Sequence, residues 1–579
     1  MKFNLNGKEI NWQVKKIGVI GPGIVGMPMA ALLANAKIKI GTEEAAKVIV
    51  VQRNSKNSGW KVDAINKGKS VIGGIEPGLN KIVADSVAAG QMSASHDYSS
   101  LIDADVILVC VQTDKKGFEP DYGPMFEALH NLAEALKQKP ENKVPLIIFE
   151  STLAPSSMAT VMKEHFTKYG LIEGKNILLG NSPNRVMPGR LVERVISSDK
   201  IVAGLHPDTP KMIKYLYSHI VTNATLHPTN SLTAEVVKTL ENAYRDVRIA
   251  FSTEVVRYCD ENNINFYTVR EKVNSKLSQG DSATTDPNAV PSGGLLIPMI
   301  GVGGHCLPKD GILLWWRKIE SGADTSQSLI INSRKINDES PAETIKLAER
   351  TFGDLSGKSI ALLGAAYRFN SEDTRNSPAL SLAKLLIDKN CDVVIHDPFV
   401  KKDDQNLLKF NLKKHFTSDL EKSLSEAQIV IICTAHKLYI DKKDFIINHN
   451  HNLFGIVDGC NIYQHDDFIG KNIGYTGIGR GKETPTDSFI ESVYEQFKIV
   501  ETGTANEVQM LVDFLNLNYA DGDFNKIKFS DVQKLAGSCN TGCEIANTGN
   551  IKNINPPDGF KSSLVERSEN ANNLIASSN

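Results

Sequence analysis

Lys16-Ile17-Gly18-Val19-Ile20-Gly21-Pro22-Gly23-Ile24-Val25-Gly26 is the stretch on which the reading of this chain turns. Ile17 to Ile20 is a short apolar run of the kind that forms a buried strand, and Gly21-x-Gly23-x-x-Gly26 opens an apolar helical run through about Ala34. Lys47 to Gln52 (KVIVVQ) supplies the next strand and completes a β-α-β unit. In a loop these glycines would be turn residues. Between a strand and a helix they let backbone approach a pyrophosphate at the positive helix end, so Gly21, Gly23, Ile24, Val25 and Gly26 are the expected dinucleotide contacts. Ile17 to Ala36 also carries no charge, follows Lys15 and Lys16 and ends in Ala34-Asn35-Ala36, which resembles a signal peptide or membrane anchor. Glycines at 18, 21, 23 and 26 and prolines at 22 and 28 weaken a spanning helix, and no other segment reaches spanning length.

Working outward, Asp105 to Val111 (DVILVCV) and Leu146 to Phe149 (LIIF) read as further buried strands. Polar residues follow each: Gln112-Thr113, then Glu150-Ser151-Thr152. Ligands of open parallel sheets sit at the carboxyl ends of strands, which places Thr113, Glu150 and Thr152 in a cofactor cleft. The pattern recurs in Lys358 to Gly364 (KSIALLG), Asp392 to Pro398 (DVVIHDP) and Ala427 to Ala435 (AQIVIICTA). The second copy runs Gly364-Ala365-Ala366-Tyr367-Arg368, without the glycine fingerprint, and should not grip a dinucleotide in the same way. The fold expected is α/β: two Rossmann-like parallel-sheet domains joined by a central helical domain, plus a C-terminal extension. The boundaries are 1–228, 229–345, 346–483 and 484–579.

A chain of 579 residues holds about three to four domains. Sixty-five Lys plus Arg against 67 Asp plus Glu argues against a nucleic-acid protein built on a basic field, and 41% hydrophobic residues argue against global disorder. Eight cysteines, several inside apolar runs, form no disulfide framework, which suits a reducing, cytoplasmic setting. After about Lys482 the composition turns polar. Phe489 to Phe497 and Val508 to Leu517 read as short amphipathic helices and the last 20 or so residues as disordered. Cys539 and Cys543 lack the further ligands of a closed zinc site, and no metal is expected.

In the helical region Val236, Leu240, Ala243, Val247 and Ala250 form one apolar stripe, with Glu235, Lys238, Asn242 and Arg245 opposite. Such a face is either solvated or turned into a cleft, and the pattern leaves both open. Gly301-Val302-Gly303-Gly304-His305-Cys306-Leu307-Pro308-Lys309-Asp310 places a cysteine behind a glycine-rich approach, with a cation nearby to favour the thiolate. Cys110 and Cys433 lie in apolar strands that silence a thiol, so Cys306 is the candidate nucleophile.

GPGIVG, EPGL (76–79), EST (150–152), SPNRVMPGR (182–190), KTLENAYRDV (238–247), GVGGHCLPKD (301–310) and TAHKLY (434–439) occur in an order that resembles the UDP-glucose/GDP-mannose dehydrogenase family, from about residue 14 to 482. ENAYRDV and VMPGR are most similar to its members acting on UDP-N-acetylhexosamines such as UDP-N-acetylmannosamine. The resemblance implies a homodimer contacting through the central helical region, a UDP-sugar substrate held by the second sheet domain, and NAD-dependent oxidation of a sugar C6 alcohol twice, to the carboxylate. It implies neither nucleic acid nor membrane as a partner. Cys306 would form a thiohemiacetal and then a thioester, Lys238 would stabilise the oxyanion, Asn242 would hold a water or oxygen, Asp310 would orient the water or Lys238, and Thr152 would position the water near the cofactor. Arg375 would reach the cofactor. Asn184, Arg185, Val186, Arg245, His305 and Arg368 would line the substrate, and Arg334 would extend to a neighbouring subunit's substrate.

Two positions depart from the family. Asn184 stands where a glutamate general base is usual, and an amide accepts no proton near neutrality. Hydrolysis then uses Asp310 and water, or Glu150 or Glu193, or is slow. Gln52 and Arg53 stand where an acidic residue usually binds the adenine ribose, which leaves NADP open beside NAD. Two rival functions remain: a two-electron hydroxyacid or phosphogluconate type dehydrogenase, needing no cysteine, and a silent nucleotide-sugar sensor.

Overall fold

The computed structural model describes residues 2–5, 8–56, 58–186, 188–277, 294–538 and 544–578. Two compact units emerge: Met1–Glu241 with Ile312–Ala323 and Gln509–Glu544, and Asn242–Gly311 with Asp324–Val508 and Ile545–Asn579. Cys539, Cys543 and Met187 of the VMPGR segment lie outside the described residues.

The first unit is built on β1 (Lys16–Ile20), β2 (Lys47–Val51), β3 (Met92–Ser95), β4 (Val106–Val109), β5 (Leu146–Phe149), β6 (Leu178–Asn181), β7 (Lys200–Gly204) and β8 (Leu226–Asn230). They form one sheet in the order β8-β7-β6-β5-β4-β1-β2-β3, parallel except between β6 and β7. Every residue of β4 and β5 is buried, which explains why these strands read as unbroken apolar runs: helices cover both faces of a parallel sheet. The charge-free segment is α1 (Gly26–Asn35), with Met27, Met29, Leu33 and Ala34 packed into the core under β1 and β2. Among the described residues no helix is long and apolar enough to cross a membrane.

The second unit carries an all-parallel sheet of β9 (Ser359–Leu363), β10 (Asp392–His396), β11 (Phe416–Thr417), β12 (Ile429–Ile432), β13 (Gly455–Asp458) and β14 (Gly474–Gly477), ordered β11-β10-β9-β12-β13-β14. The chain passes from one sheet to the other through helices α2 (Ser231–Glu261), α3 (Leu307–Glu320) and α4 (Leu329–Phe352). The expected fold class is therefore the observed one: two parallel-sheet domains with a helical region between them in sequence and an extension beyond.

The extension departs from expectation. Instead of two short helices there is one, α5 (Asp487–Tyr519), because Val493, Phe497, Val500, Thr504, Val508 and Leu511 keep a helical spacing through the intervening residues and are all buried. After α6 (Phe529–Gly537), the segment expected to be disordered forms α7 (Ser563–Ser578), which buries Leu564, Val565, Ser568 and Glu569. Its polar composition misled because its polar groups have protein partners. Glu254 of α2 accepts from Ser562 Oγ (2.5 Å) and Ser563 Oγ (2.6 Å), and Gln496 of α5 exchanges hydrogen bonds with Phe560 and Ser562.

Within the second unit the extension lies along α2. Phe251 meets Phe497, Tyr258 meets Phe489 and Phe560, and Arg248 pairs with Glu501 at 2.8 Å. None of residues 231–260 is exposed. The polar side of α2 is not fully solvated either: Glu235 and Lys238 are buried, Asn242 and Arg245 half-buried, with Glu235 accepting from the Ser156 and Met158 amides.

Candidate active site

In the first unit the turn after β1 builds a cradle. Gly21 has φ +89°, and a Cβ on Gly26 would stand 2.1 Å from the Gly21 carbonyl oxygen, so neither position admits a side chain. A Cβ on Gly23 would meet nothing within 4 Å, which leaves that backbone clear for close approach in front of the α1 N-terminus. Gly21 and Gly23 line a cleft of about 370 Å³ with Val51, Gln52, Arg53 and Tyr98. These features fit NAD: Gly21, Gly23 and the start of α1 would hold its pyrophosphate and the carboxyl end of β2 its adenosine. Ile24 is 36% exposed and Val25 immediately precedes α1.

The other residues expected around this cofactor are more inward. Thr113 is buried and donates to the Thr152 carbonyl at 2.8 Å. Glu150 is buried and accepts from Asn184 Nδ2, from Lys200 Nζ at 2.8 Å and from the Tyr217 hydroxyl. Burial lowers the proton affinity of Lys200, which Glu150 opposes, and raises that of the Tyr217 phenol, with Glu150 reinforcing. All three donors engage the Glu150 carboxylate, which thereby fixes the Asn184 amide. Glu193 is tied to Arg190 on the surface.

Arg185 is not directed into a cleft as the substrate role requires. Its guanidinium is buried, paired with Glu241 at 2.5 Å and bonded to the Asp199 carbonyl, the Leu535 carbonyl and Ser538 Oγ. Val186 packs against the apolar core of the first sheet.

In the second unit Cys306 immediately precedes α3, and its carbonyl accepts from Lys309 N (3.1 Å) and Asp310 N (3.0 Å). Cys306 thus stands at the start of a 14-residue helix. Lys309, read from the sequence as the activating cation, is spent elsewhere: its Nζ pairs with Asp310 at 2.7 Å, both side chains buried. Asp310 Oδ2 accepts from Asn242 Nδ2 at 2.6 Å. The glycines before the cysteine admit the ring of Tyr367, since a Cβ on Gly304 (φ +92°) would come within 3.0 Å of it. Arg375 anchors this loop from the other side: its carbonyl accepts from Gly304 N at 2.8 Å while its guanidinium holds Asp373. Burial first, then Asp373, pushes the Tyr367 phenol up to about 12, with Cys306 adding to the shift.

Beside this loop lies a cleft of about 360 Å³, lined among others by Arg245, Gly301, Val302, Asn337, Tyr367 and Arg368. His305 is half-buried. Arg334 does not extend outward as expected; it is buried against Asp246 (2.7 Å) and Asp338 (2.9 Å) of its own chain. Sequence reasoning missed Tyr367 and Asn337 in the cleft, and Glu127 in the cofactor cleft. Tyr367 stood in plain view beside Arg368, in the long link between β9 and the helix Pro378–Asp388. Glu127 sits on an ordinary amphipathic helix, Gly123–Leu136, and gave no signal.

The turn after β9 differs from the turn after β1 in what engages its amides. The Ala365 and Ala366 N–H groups, which correspond to the pyrophosphate-facing amides of the first unit, both donate to buried Asp397 at 2.8 and 3.0 Å. Burial works against the Asp397 charge, but His436 and the Ala366 and Phe399 amides hold its carboxyl below the usual range. With the Ala365 and Ala366 amides occupied, the cleft is left to side chains of the 365–369 loop.

Two nucleotide-fold sheets, one with a dinucleotide cradle, and a cysteine at a helix start beside the other's cleft define an NAD-dependent oxidoreductase. Residues 15–221, 232–339 and 361–465 match the NAD binding, central and UDP binding domains of the UDP-glucose/GDP-mannose dehydrogenase family, and the chain belongs to that family. It is similar to the UDP-N-acetyl-D-mannosamine dehydrogenase of Pyrococcus horikoshii, 29% identical over 475 residues covering 80% of this chain and 99% of that one. It is 30% identical to the Campylobacter jejuni protein of the same name over 74% of this chain and 97% of that one. Among solved structures, the NDP-N-acetyl-D-galactosaminuronic acid dehydrogenase of Methanosarcina mazei Go1 matches with a TM-score of 0.67 and 32% identity, over 81% of this chain and 96% of that one.

Proposed function

We propose that this enzyme oxidises the C6 alcohol of a UDP-N-acetylhexosamine to the uronate in two successive hydride removals, with Cys306 carrying the carbon between them. The observation that carries this reading is the placement of Cys306 at the start of α3, one turn before Asp310 and next to a cleft holding Arg245 and Arg368. The names of the similar proteins support the substrate class.

Bound NAD supplies the acceptor for each hydride. The residues of this chain do the rest. The Cys306 thiolate adds to the C6 aldehyde, and the oxyanion so formed is stabilised by the Lys238 ammonium. Collapse of that oxyanion as hydride leaves gives the Cys306 thioester. Water, oriented by Asn242 and Asp310 with Thr152 nearer the nicotinamide, attacks the thioester carbonyl and the thiolate departs. Each alcohol consumes one water and reduces two cofactors. Arg245 and Arg368 match the diphosphate charge in the second cleft, and the apolar walls given by Val302 and Tyr367 suit the uracil and N-acyl groups.

The test is Cys306→Ser supplied with the sugar nucleotide and NAD. Loss of uronate formation, read by product mass, supports the reading; uronate at the wild-type rate overturns it. A panel of UDP- and GDP-sugars with the wild-type chain fixes the substrate.

A further inference from the structure

The cofactor cleft holds a charge arrangement that its glycine loop does not explain. At the end of β2 Gln52 donates through Nε2 to Ser58 Oγ at 3.0 Å and to the Arg53 carbonyl at 3.3 Å. Arg53 turns its guanidinium to Glu127, with NH1 to Oε2 at 2.7 Å. Lys61 lines the same cleft, where burial lowers its proton affinity. Tyr98 lies beside the pair, its phenol pushed up to about 12 by burial, with Glu127 adding and Arg53 opposing. Among the described lining residues Glu127 is the one carboxylate, and it stands on a helix that follows β4 instead of on β2.

We propose that Glu127 is the specificity-determining residue that keeps this cleft for a cofactor with a free ribose 2′-hydroxyl. It supplies from another element the negative charge that β2 lacks, and it engages the cation that would otherwise bind a 2′-phosphate. A phosphomonoester carries about −1.5 to −2 charges near neutrality and would be repelled by Glu127 while competing with it for Arg53. The Arg53–Glu127 pair is more than half open to water, 56% and 53% exposed, so it is weak and can exchange partners. Discrimination therefore rests on the carboxylate's charge in the cleft and not on a rigid lock. Without it, Arg53 and Lys61 remain as two cations with no opposing charge among the described lining residues, which is a phosphate site.

The experiment is titration calorimetry on the full chain with adenosine 2′,5′-bisphosphate against AMP, and NADP against NAD, for the wild type, Glu127→Gln, Arg53→Ala and the double variant. None of these measurements depends on turnover, so they stand apart from the sugar assignment. The wild type should prefer AMP and NAD. Glu127→Gln should raise the affinity ratio for the 2′-phosphorylated partner about tenfold, as expected for removing a like charge at close range. Adding Arg53→Ala should remove most of that gain. An unchanged ratio in Glu127→Gln, a wild type that prefers NADP, or a gain that survives in the double variant overturns the proposal.

Discussion

Asn242 of α2 donates its side-chain amide to Asp310 in the first turn of α3 over 2.6 Å, while the other Asp310 oxygen takes the Lys309 ammonium at 2.7 Å. Asp310 is fully buried with both carboxylate oxygens engaged, so it serves as an orienting anchor between the two helices. The contact joins the helix that carries Lys238 to the one that begins at Cys306.

Asp310→Ala should leave Lys309 buried without its counter-ion, at a cost of about 3–5 kcal/mol. Denaturant unfolding of the variant checks this through a lowered midpoint. Uronate formation by the folded fraction should fall by about 100-fold, because the group that holds Asn242 and orients the hydrolytic water is gone. A variant as stable and as fast as the wild type contradicts the role.

Asn184 is fixed by Glu150, itself held by Lys200 and Tyr217, and an amide takes no proton from water near neutrality. Thioester hydrolysis should then limit turnover, and acid quench with intact-mass analysis should find a sugar-nucleotide adduct on Cys306. Asn184→Glu places a second carboxylate beside Glu150; such a pair shares a proton near neutrality and one member can serve as a base. The adduct should diminish. An equal adduct in both chains removes position 184 from the hydrolysis step.

Glu501 of α5 accepts from Arg248 Nε (2.9 Å) and NH2 (2.8 Å) and from the Tyr244 hydroxyl (2.5 Å), and both charged side chains are largely buried. Glu501→Ala should destabilise the chain by about 3–5 kcal/mol, read as a lowered thermal midpoint, because Arg248 is left uncompensated. A shift within the few tenths of a kcal/mol usual for a surface change contradicts an integral extension.

Glu235 accepts from the Ser156 and Met158 amides at 2.8 Å, and burial pushes its carboxyl up to about 8. Its folded value lies above the unfolded one of about 4.3, so the folded chain binds this proton more tightly. The stability contributed is fully present below about pH 4.3 and is lost as pH rises through about 8. Asp260, raised to about 7 by burial, acts in the same direction. The unfolding midpoint should therefore fall between pH 6 and about 8, and fall less steeply in Glu235→Gln. Identical slopes contradict the assignment.

Legibility followed local pattern. β1, β4, β5 and β12 were readable because parallel strands covered on both faces must be apolar throughout, and the glycine turn because Gly26 has no room for a Cβ. The glycine approach singled out Cys306, but the cation read beside it is not directed to it: Lys309 is near in sequence yet its Nζ pairs with Asp310. Side-chain pairings over long sequence separation, such as Arg185 with Glu241 and Leu535 or Arg334 with Asp246, leave no trace in spacing, so nothing in the sequence spoke against the substrate roles that the family resemblance implied for both arginines. The extension failed for the same reason. Ser562, Ser563 and Glu569 look like a solvated tail until Glu254 and Lys561 are known to face them.

The account stands most directly on the number of cofactors reduced per sugar. With limiting UDP-N-acetylhexosamine and excess NAD, absorbance at the reduced nicotinamide band should report two equivalents per sugar, with the uronate as sole product by mass. One equivalent per sugar, with the C6 aldehyde released, would contradict it.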